Sequence, residues 1–321
     1  MNKTMIVSDV GGTNGRFAIA EFSDQNHLPE IKNTQIFPCS AYASFYDMFA
    51  AYARHFKTGL PKTAHFAIAG EMTPRHGNLW HFNWNINAAE LEDRFGFEQV
   101  TLLNDYEALL YAIPELSNND LTTLSPSRKE IIDAPYSVFG VGSGLGAAIG
   151  VPTSNGLTTI PTEIGHISFA PKSELELEML RYFKENNEPI SIEFFLSGPG
   201  IKRIHDFIIY KESGKSEIMT AADITAAAKQ KNIENCVKTV DVFANILGNV
   251  TGDIALAQGA KGGIYMGGGV IPKIKTLIDH QKFLTHFRDK GPMQNYVKKI
   301  PVHIITSKNP ALLGAAIAPP K

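Results

Sequence analysis

Apolar and polar positions change rhythm several times along the chain. Met5–Val10 and Arg16–Phe22 are crowded with apolar and β-branched residues, and Gly11-Gly12-Thr13-Asn14 lies between them, so the pattern predicts a hairpin with a glycine tip. Phe45–Phe56 sets Phe, Met, Ala and Tyr at helical spacing, and buried-strand runs follow at Ala64–Ala69 and Gln99–Leu103. After Ile113-Pro114 and a polar stretch over 117–129, strand-like runs come at Tyr136–Val141 and Gly146–Val151. A helix charged on one face is read over Glu174–Glu185, with further helices over Ile201–Tyr210 and Asn235–Gln258. A strand at Val302–Thr306 and a short helix over Ala311–Ala318 close the sequence. Strands and helices alternate, which predicts α/β architecture with a more helical second half, and no repeat of solenoid length is visible.

Composition narrows the function classes. With 321 residues, 44% hydrophobic and 19% charged, there is material for two lobes rather than one. Thirty Lys and Arg stand against 32 Asp and Glu, the net charge is −2, and no long run of either sign occurs. That balance argues against nucleic acid or a membrane surface as a partner. Met1–Met5 leads into a short run containing Asp9, unlike a signal peptide, and no apolar run reads as long enough to cross a bilayer. Cys39 and Cys236 lie far apart and outside any CxxC pattern, so two structural thiols in a reducing cytoplasm are expected.

Three glycine clusters lie in or beside apolar strands: Asp9-Val10-Gly11-Gly12-Thr13-Asn14, Gly140-Val141-Gly142-Ser143-Gly144-Leu145-Gly146 and Gly262–Gly269. Glycine lets backbone N–H groups converge on an anion without obstruction by a Cβ. Any one cluster reads as a tight turn; three in one chain point to a nucleotide held between lobes. Gly142-Ser143-Gly144-Leu145-Gly146-Ala147 loosely matches a dinucleotide-binding loop, but Gly150, Pro152, Gly156 and Pro161 interrupt the helix that such a loop must open. No GxxxxGK[ST] sequence occurs. Two hairpin tips, one per lobe, remain as the phosphate holders.

Acid and base candidates sit at strand ends. Asn104-Asp105 stands where an apolar run hands over to a helical one, with Glu107 three residues after Asn104. That spacing fits acid–base chemistry and equally a helix cap, with Asn104 as N-cap and Asp105 favouring the helix dipole. Glu163 and His166 follow Pro161 in a loop, and Glu193 precedes Leu196-Ser197-Gly198-Pro199-Gly200. Each alone reads as structural; together, two carboxylates and an imidazole suit a polyol, whose hydroxyls both donate and accept. Zinc has no ligand cluster here. Magnesium arriving with a nucleotide needs only one or two carboxylates, and Asp9 is the candidate.

At these residues the sequence resembles the bacterial glucokinases, within the class of two-lobed sugar-kinase, actin and chaperone ATPases. The likeness runs from Asp9–Arg16 to Asn309–Ala315, through Leu103-Asn104-Asp105, Gly142–Gly146, Glu163-Ile164-Gly165-His166, Leu196–Gly200 and Gly267-Gly268-Gly269-Val270-Ile271-Pro272. It implies an actin-like, ribonuclease H-like α/β fold with nucleotide and sugar in the interlobe cleft. Its small domain would comprise 1–108 with 306–321, and its larger domain 109–305. It further implies Asp105 as catalytic base and Asn104, Glu163, His166 and Glu193 as holders of the sugar hydroxyls. Asp9, Gly11, Gly12, Thr13 and Asn14, with Gly142, Ser143 and Gly144, would hold the phosphates of ATP, and Gly267 and Gly268 would flank the adenosine. Glucose as acceptor, Mg2+ as cofactor and a homodimer complete the expectation.

Departures occur at Glu71, where the family usually has proline, and at Trp80-His81, near which it has a Thr-Asn pair before Trp84. They bear on sugar preference, so another hexose stays open. The ROK branch shares the Glu-x-Gly-His element but adds a cysteine-rich zinc loop that has no counterpart here. Two rivals remain, a hexose-binding regulator without turnover and an ATPase that drives conformational change.

Overall fold

In the computed structural model, which describes residues 3–57, 59–125, 133–185, 189–214 and 218–320, the first two apolar runs form the hairpin read from sequence. β1 (Lys3–Val10) and β2 (Asn14–Phe22) pair antiparallel from Lys3↔Phe22 to Val10↔Gly15. β3 (Glu30–Pro38), α1 (Phe45–Ala53) and β4 (Thr63–Ile68) follow. Three short strands, β5 (Glu71–Met72), β6 (His76–Leu79) and β7 (Trp84–Asn87), make a small sheet of their own. α2 (Ala88–Phe95), β8 (Gln99–Asn104) and α3 (Asp105–Ala112) complete this stretch. The main sheet has the order β3-β2-β1-β4-β8, with β1, β4 and β8 parallel.

One face of that sheet carries aromatics. The Ser44 hydroxyl accepts the Asp47 N–H and starts α1, whose Phe45, Phe49 and Tyr52 recur at helical spacing and pack on Phe17 and Phe66 with ring centroids 5.2–5.9 Å apart. The other face is lined by small and medium residues, Met5, Val7, Ala18, Ala67 and Leu103, under the C-terminal helix Pro310–Ile317. That helix also meets α3 closely: a Cβ on Gly314 would lie 1.8 Å from the Ala108 carbonyl oxygen, so only glycine permits the approach. The buried His65 Nδ1 hydrogen-bonds the Ala315 carbonyl at 2.8 Å.

Contacts divide the chain into Met1–Ser117 with Ser307–Lys321, here unit 1, and Asn118–Thr306, unit 2. The first break therefore falls after Ser117, not after 108. A cut at 108 would split α3 at the very residue that faces Gly314. The return falls after Thr306, whose N–H donates to Asp120 O at 2.7 Å within unit 2.

Unit 2 opens with β9 (Leu121–Ser125), β10 (Tyr136–Val141), β11 (Leu145–Thr153) and β12 (Gly156–Thr162). Helices α4 (Glu174–Lys184), α5 (Ile192–Phe195), α6 (Gly198–Ser213), α7 (Ala221–Gln230) and α8 (Glu234–Ala257) follow. β13 (Gly263–Gly267), α9 (Ile271–Ile274), α10 (His280–Arg288), α11 (Gln294–Val297) and β14 (Val302–Ile305) end the unit. The sheet order is β12-β11-β10-β13-β14-β9. By length and mean hydropathy, 1.2 over its best window, α8 matches a membrane span, yet 72% of that window is buried inside the protein. Phe243, Ile246, Leu247, Val250 and Ile254 on α8 belong to the core of the unit, so α8 is a core helix.

Candidate active site

Unit 1 gathers its candidates at the carboxyl ends of parallel strands. The pairings Val10↔Ile68 and Ile68↔Asn104 set the ends of β1, β4 and β8 in register, so the glycine tip after β1 and the turn after β8 are two strand spacings apart, about 10 Å. Ligands of open α/β sheets settle outside such strand ends.

At the tip, Gly11 N–H donates to Asn14 O at 3.0 Å. Cys39 draws the tip carbonyls inward: its N–H donates to Thr13 O at 2.9 Å and its thiol to Gly11 O at 3.5 Å. A Cβ on Gly11 would meet nothing within 4 Å, and Thr13 is exposed while Gly12 and Asn14 are half-buried. Asp9 accepts from Arg16 Nη1 at 3.0 Å with its side chain 22% exposed. Burial pushes the Asp9 carboxyl above the ordinary aspartate range, and the Arg16 charge and hydrogen bond oppose that without cancelling it. A carboxylate so placed beside the glycine tip fits a hydrated divalent cation carried in by a nucleotide.

At the other strand end, the capping reading holds for Asn104. Its Oδ1 accepts the Tyr106 and Glu107 N–H groups at 3.0 and 3.2 Å, and its Nδ2 donates to Gly70 O at 3.1 Å, which leaves one amide hydrogen for a ligand. Asp105 is the first residue of α3, half-buried, and its Oδ1 takes a share of the Tyr106 N–H at 3.0 Å. The residue that Asn104 grips, Gly70, has φ +119° and no room for a Cβ, which would lie 2.2 Å from Asn78 O. Glu71 begins β5 directly after it, and Trp80, 63% exposed, follows β6. Of the two departures from the family pattern, Glu71 therefore lies in the small sheet that Gly70 ties to Asn104, and Trp80-His81 in the short turn between its β6 and β7.

Unit 2 brings its three candidate segments onto one hairpin. β10 and β11 pair from Tyr136↔Gly150 to Val141↔Leu145, so Gly142-Ser143-Gly144 is a hairpin tip and not the head of a helix. Gly198 N–H, at the start of α6, donates to Gly142 O at 2.8 Å, and Val270 N–H donates to Val141 O at 2.9 Å. The third cluster arrives on the neighbouring strand through the parallel pair Gly140↔Gly267. Gly268 has φ +85°, and a Cβ there would lie 2.5 Å from Val141 O. Gly267 and Gly268 are thus packed beside the second tip.

Glu163 and His166 flank a short turn whose Gly165 abuts the same hairpin, since a Cβ there would lie 2.2 Å from Leu145 O. Their side chains are 84% and 63% exposed and 3.9 Å apart. The following segment is stitched to that of Glu193 by the Ser168↔Ser191 bridge and by Ile192 N–H donating to Ile167 O at 2.9 Å. Glu193 in turn accepts the Leu145 N–H on Oε2 at 2.7 Å. Both carboxylates and the imidazole therefore come from segments braced against Leu145. Cys39 and Leu145 are the participants that local pattern missed. Their partners lie 28 and 48 residues away, and neither residue type signals a site.

Comparison with known proteins points to one family. The glucokinase family profile matches residues 6–320. A glucokinase of Saccharophagus degradans is 32% identical over 311 residues, covering 97% of this chain and 96% of its own. The crystal structure of a glucokinase from an Antarctic psychrotroph has a TM-score of 0.83 at 30% identity, with 98% of each chain covered. A ROK family glucokinase from Streptomyces griseus, solved in complex with glucose and AMPPNP, shares the fold with a TM-score of 0.66 at 17% identity, again over 98% of each chain. The fold is thus the two-lobed α/β type of sugar kinases and actin-like ATPases. With a profile and a relative of this identity each extending over nearly its whole length, the chain belongs to the glucokinase family of hexose kinases.

Proposed function

We propose that the chain transfers the γ-phosphoryl group of ATP to the 6-hydroxyl of glucose, with Asp105 as general base. The new bond joins the hexose oxygen to phosphorus, the bond from phosphorus to the ADP oxygen breaks, and the hydroxyl proton passes to the Asp105 carboxylate. The observation that carries this reading is the division of labour at the head of α3. Asn104 Oδ1 already accepts the Tyr106 and Glu107 N–H groups of the first turn, so this part of the cap does not require the carboxylate of Asp105.

The remaining roles follow the same placement. The remaining amide hydrogen of Asn104, with Glu163, His166 and Glu193, would hold the sugar hydroxyls. The backbone of Gly11–Asn14 and of Gly142–Gly144 would hold phosphates, and Gly267-Gly268 would border the adenosine. Mg2+, held through water at Asp9, would supply neutralisation of phosphate charge. A homodimer in a reducing cytoplasm goes with this reading, and both cysteines are buried. Because Gly70 links Asn104 to the small sheet that carries Glu71 and Trp80, a second hexose preferred over glucose is the alternative, and a sugar panel in an ADP-release assay decides between them.

The test of the base is Asp105→Asn. The amide has no useful proton affinity, so turnover falls on the order of 10²–10⁴-fold. Stability drops by about 1 kcal/mol or less, because the cap stays with Asn104. ATP affinity, read by calorimetry, stays near parental. A folded, ATP-binding variant with parental turnover would return Asp105 to a structural role.

A further inference from the structure

Glu193 reaches the second glycine tip. Its Oε2 accepts the Leu145 N–H at 2.7 Å, and the space that a side chain on Gly144 would fill is taken by the same carboxylate, 2.3 Å from an ideal Cβ. A charge-assisted bond of this length is among the stronger single restraints a side chain provides. Of the backbone restraints on the tip, Gly142 N–H to Gly144 O at 2.8 Å closes the turn itself, while Gly198 N–H to Gly142 O and Val270 N–H to Val141 O tie its β10 side to the neighbouring segments. Glu193 holds the β11 side.

Arg203 on α6 is held against Phe194, the residue that follows Glu193. Its Nη1 donates to Phe194 O at 2.9 Å and its guanidinium lies 4.2 Å from the Phe194 ring centroid. Partial burial lowers its pKa, and the charge of Glu193 works against that loss. The segment 193–203 thus forms one frame, with the carboxylate at one end, the guanidinium at the other and Phe194 between them.

We infer that Glu193 is a positioning residue for the phosphate hairpin, holding Gly142–Gly144 in its nucleotide-binding shape independently of any contact it makes with sugar. The inference rests on the reading of that hairpin as a phosphate site. It also gives the two substrates a shared group: a hexose hydroxyl that bonds the Glu193 carboxylate touches the atoms that fix the ATP loop. A residue that served sugar alone would leave ATP binding untouched when no sugar is present.

The experiment measures ATP affinity by calorimetry with no sugar in the cell, for the parent, Glu193→Ala and Glu193→Gln. Alanine removes the acceptor, and ATP affinity falls on the order of tenfold. Glutamine keeps an amide oxygen for the Leu145 N–H, so ATP affinity stays within about threefold, while glucose affinity falls in both variants. Hydrogen exchange at the Leu145 amide gives a readout free of ligand: protected in the parent and in the Gln variant, exposed in the Ala variant. Parental sugar-free ATP affinity in Glu193→Ala, or unchanged exchange at Leu145, overturns the inference alone. A parent that bound no ATP would overturn the phosphate reading of the hairpin and this inference with it.

Discussion

The two glycine tips are built alike and braced differently. Each joins antiparallel strands, ends next to a parallel strand and leaves a polar residue, Thr13 or Ser143, exposed at its apex. The Gly11–Thr13 tip is held by its carbonyls through the N–H and thiol of Cys39, a neutral partner whose pKa burial pushes up to about 11, and the space beside Gly11 is open. The Gly142–Gly144 tip is held on its β11 side by the side chain of Glu193, and the space beside Gly144 is full. Gly11, the first residue of its tip, and Gly144, the last of its own, therefore differ in what a side chain would meet: open space at the one, the Glu193 carboxylate at the other.

The sharpest break in that comparison comes from Gly144→Ala. Its methyl group must displace the Glu193 carboxylate, at an overpacking cost of about 1–3 kcal/mol, and ATP and glucose affinity fall together. Paired calorimetry checks this; loss of ATP affinity alone would mean that Glu193 yields without consequence. Gly11→Ala is the contrasting case. Nothing stands within 4 Å of the new Cβ, so the thermal midpoint holds or rises, the change amounting to less than about 1 kcal/mol, while the KM for ATP climbs on the order of tenfold and the KM for glucose stays put. A KM for ATP equal to the parent's would mark the first tip as a plain turn.

The smallest effect concerns Asp9. Its folded pKa is raised, chiefly by burial, so its share of stability is fully present below the unfolded aspartate pKa and is lost as pH rises through the folded value. At neutral pH the ionised carboxylate is thus a net cost to the fold without a cation. Asp9→Asn should then match or exceed the parent in thermal midpoint at pH 7, with the difference vanishing toward pH 3, while phosphoryl transfer weakens. A midpoint clearly below the parent's at pH 7 would show that the Arg16 pair outweighs burial.

Much of this was legible in the sequence because it is local. Hairpins, strand runs and the long helices are signalled by period and by glycine, and β10 spans Tyr136–Val141 as read. Strands that alternate polar residues were not, among them β3 and β12, whose exposed edge positions lack a hydrophobic stripe. α1 stops at Ala53, yet Phe56 still reaches Tyr52 from outside the helix, so an aromatic at helical spacing extends the sequence pattern past the helix end. At the site, sequence could name Asn104 and Asp105 but not separate their duties, since the cap shows only in the bonds to Tyr106, Glu107 and Gly70. The double role of Glu193 was beyond reach for a similar reason: Leu145, its partner, carries no chemical signal.

The close fit of the C-terminal helix against α3 and β4 has a consequence for the order in which the protein comes into being. Unit 1 begins first on the ribosome, yet one face of its sheet stays uncovered until residues 307–320 emerge, after the whole of 118–306. Met5, Val7, Ala67 and Leu103, together with the carbonyl of Ala108 that awaits Gly314, must remain unpaired with their final neighbours through that interval. Unit 2, continuous in sequence, is complete while the first unit still waits. The earlier unit is thus the last to receive all its residues, and a chain ending at residue 306 would expose an apolar strip on its half-built sheet, a target for chaperones and proteases.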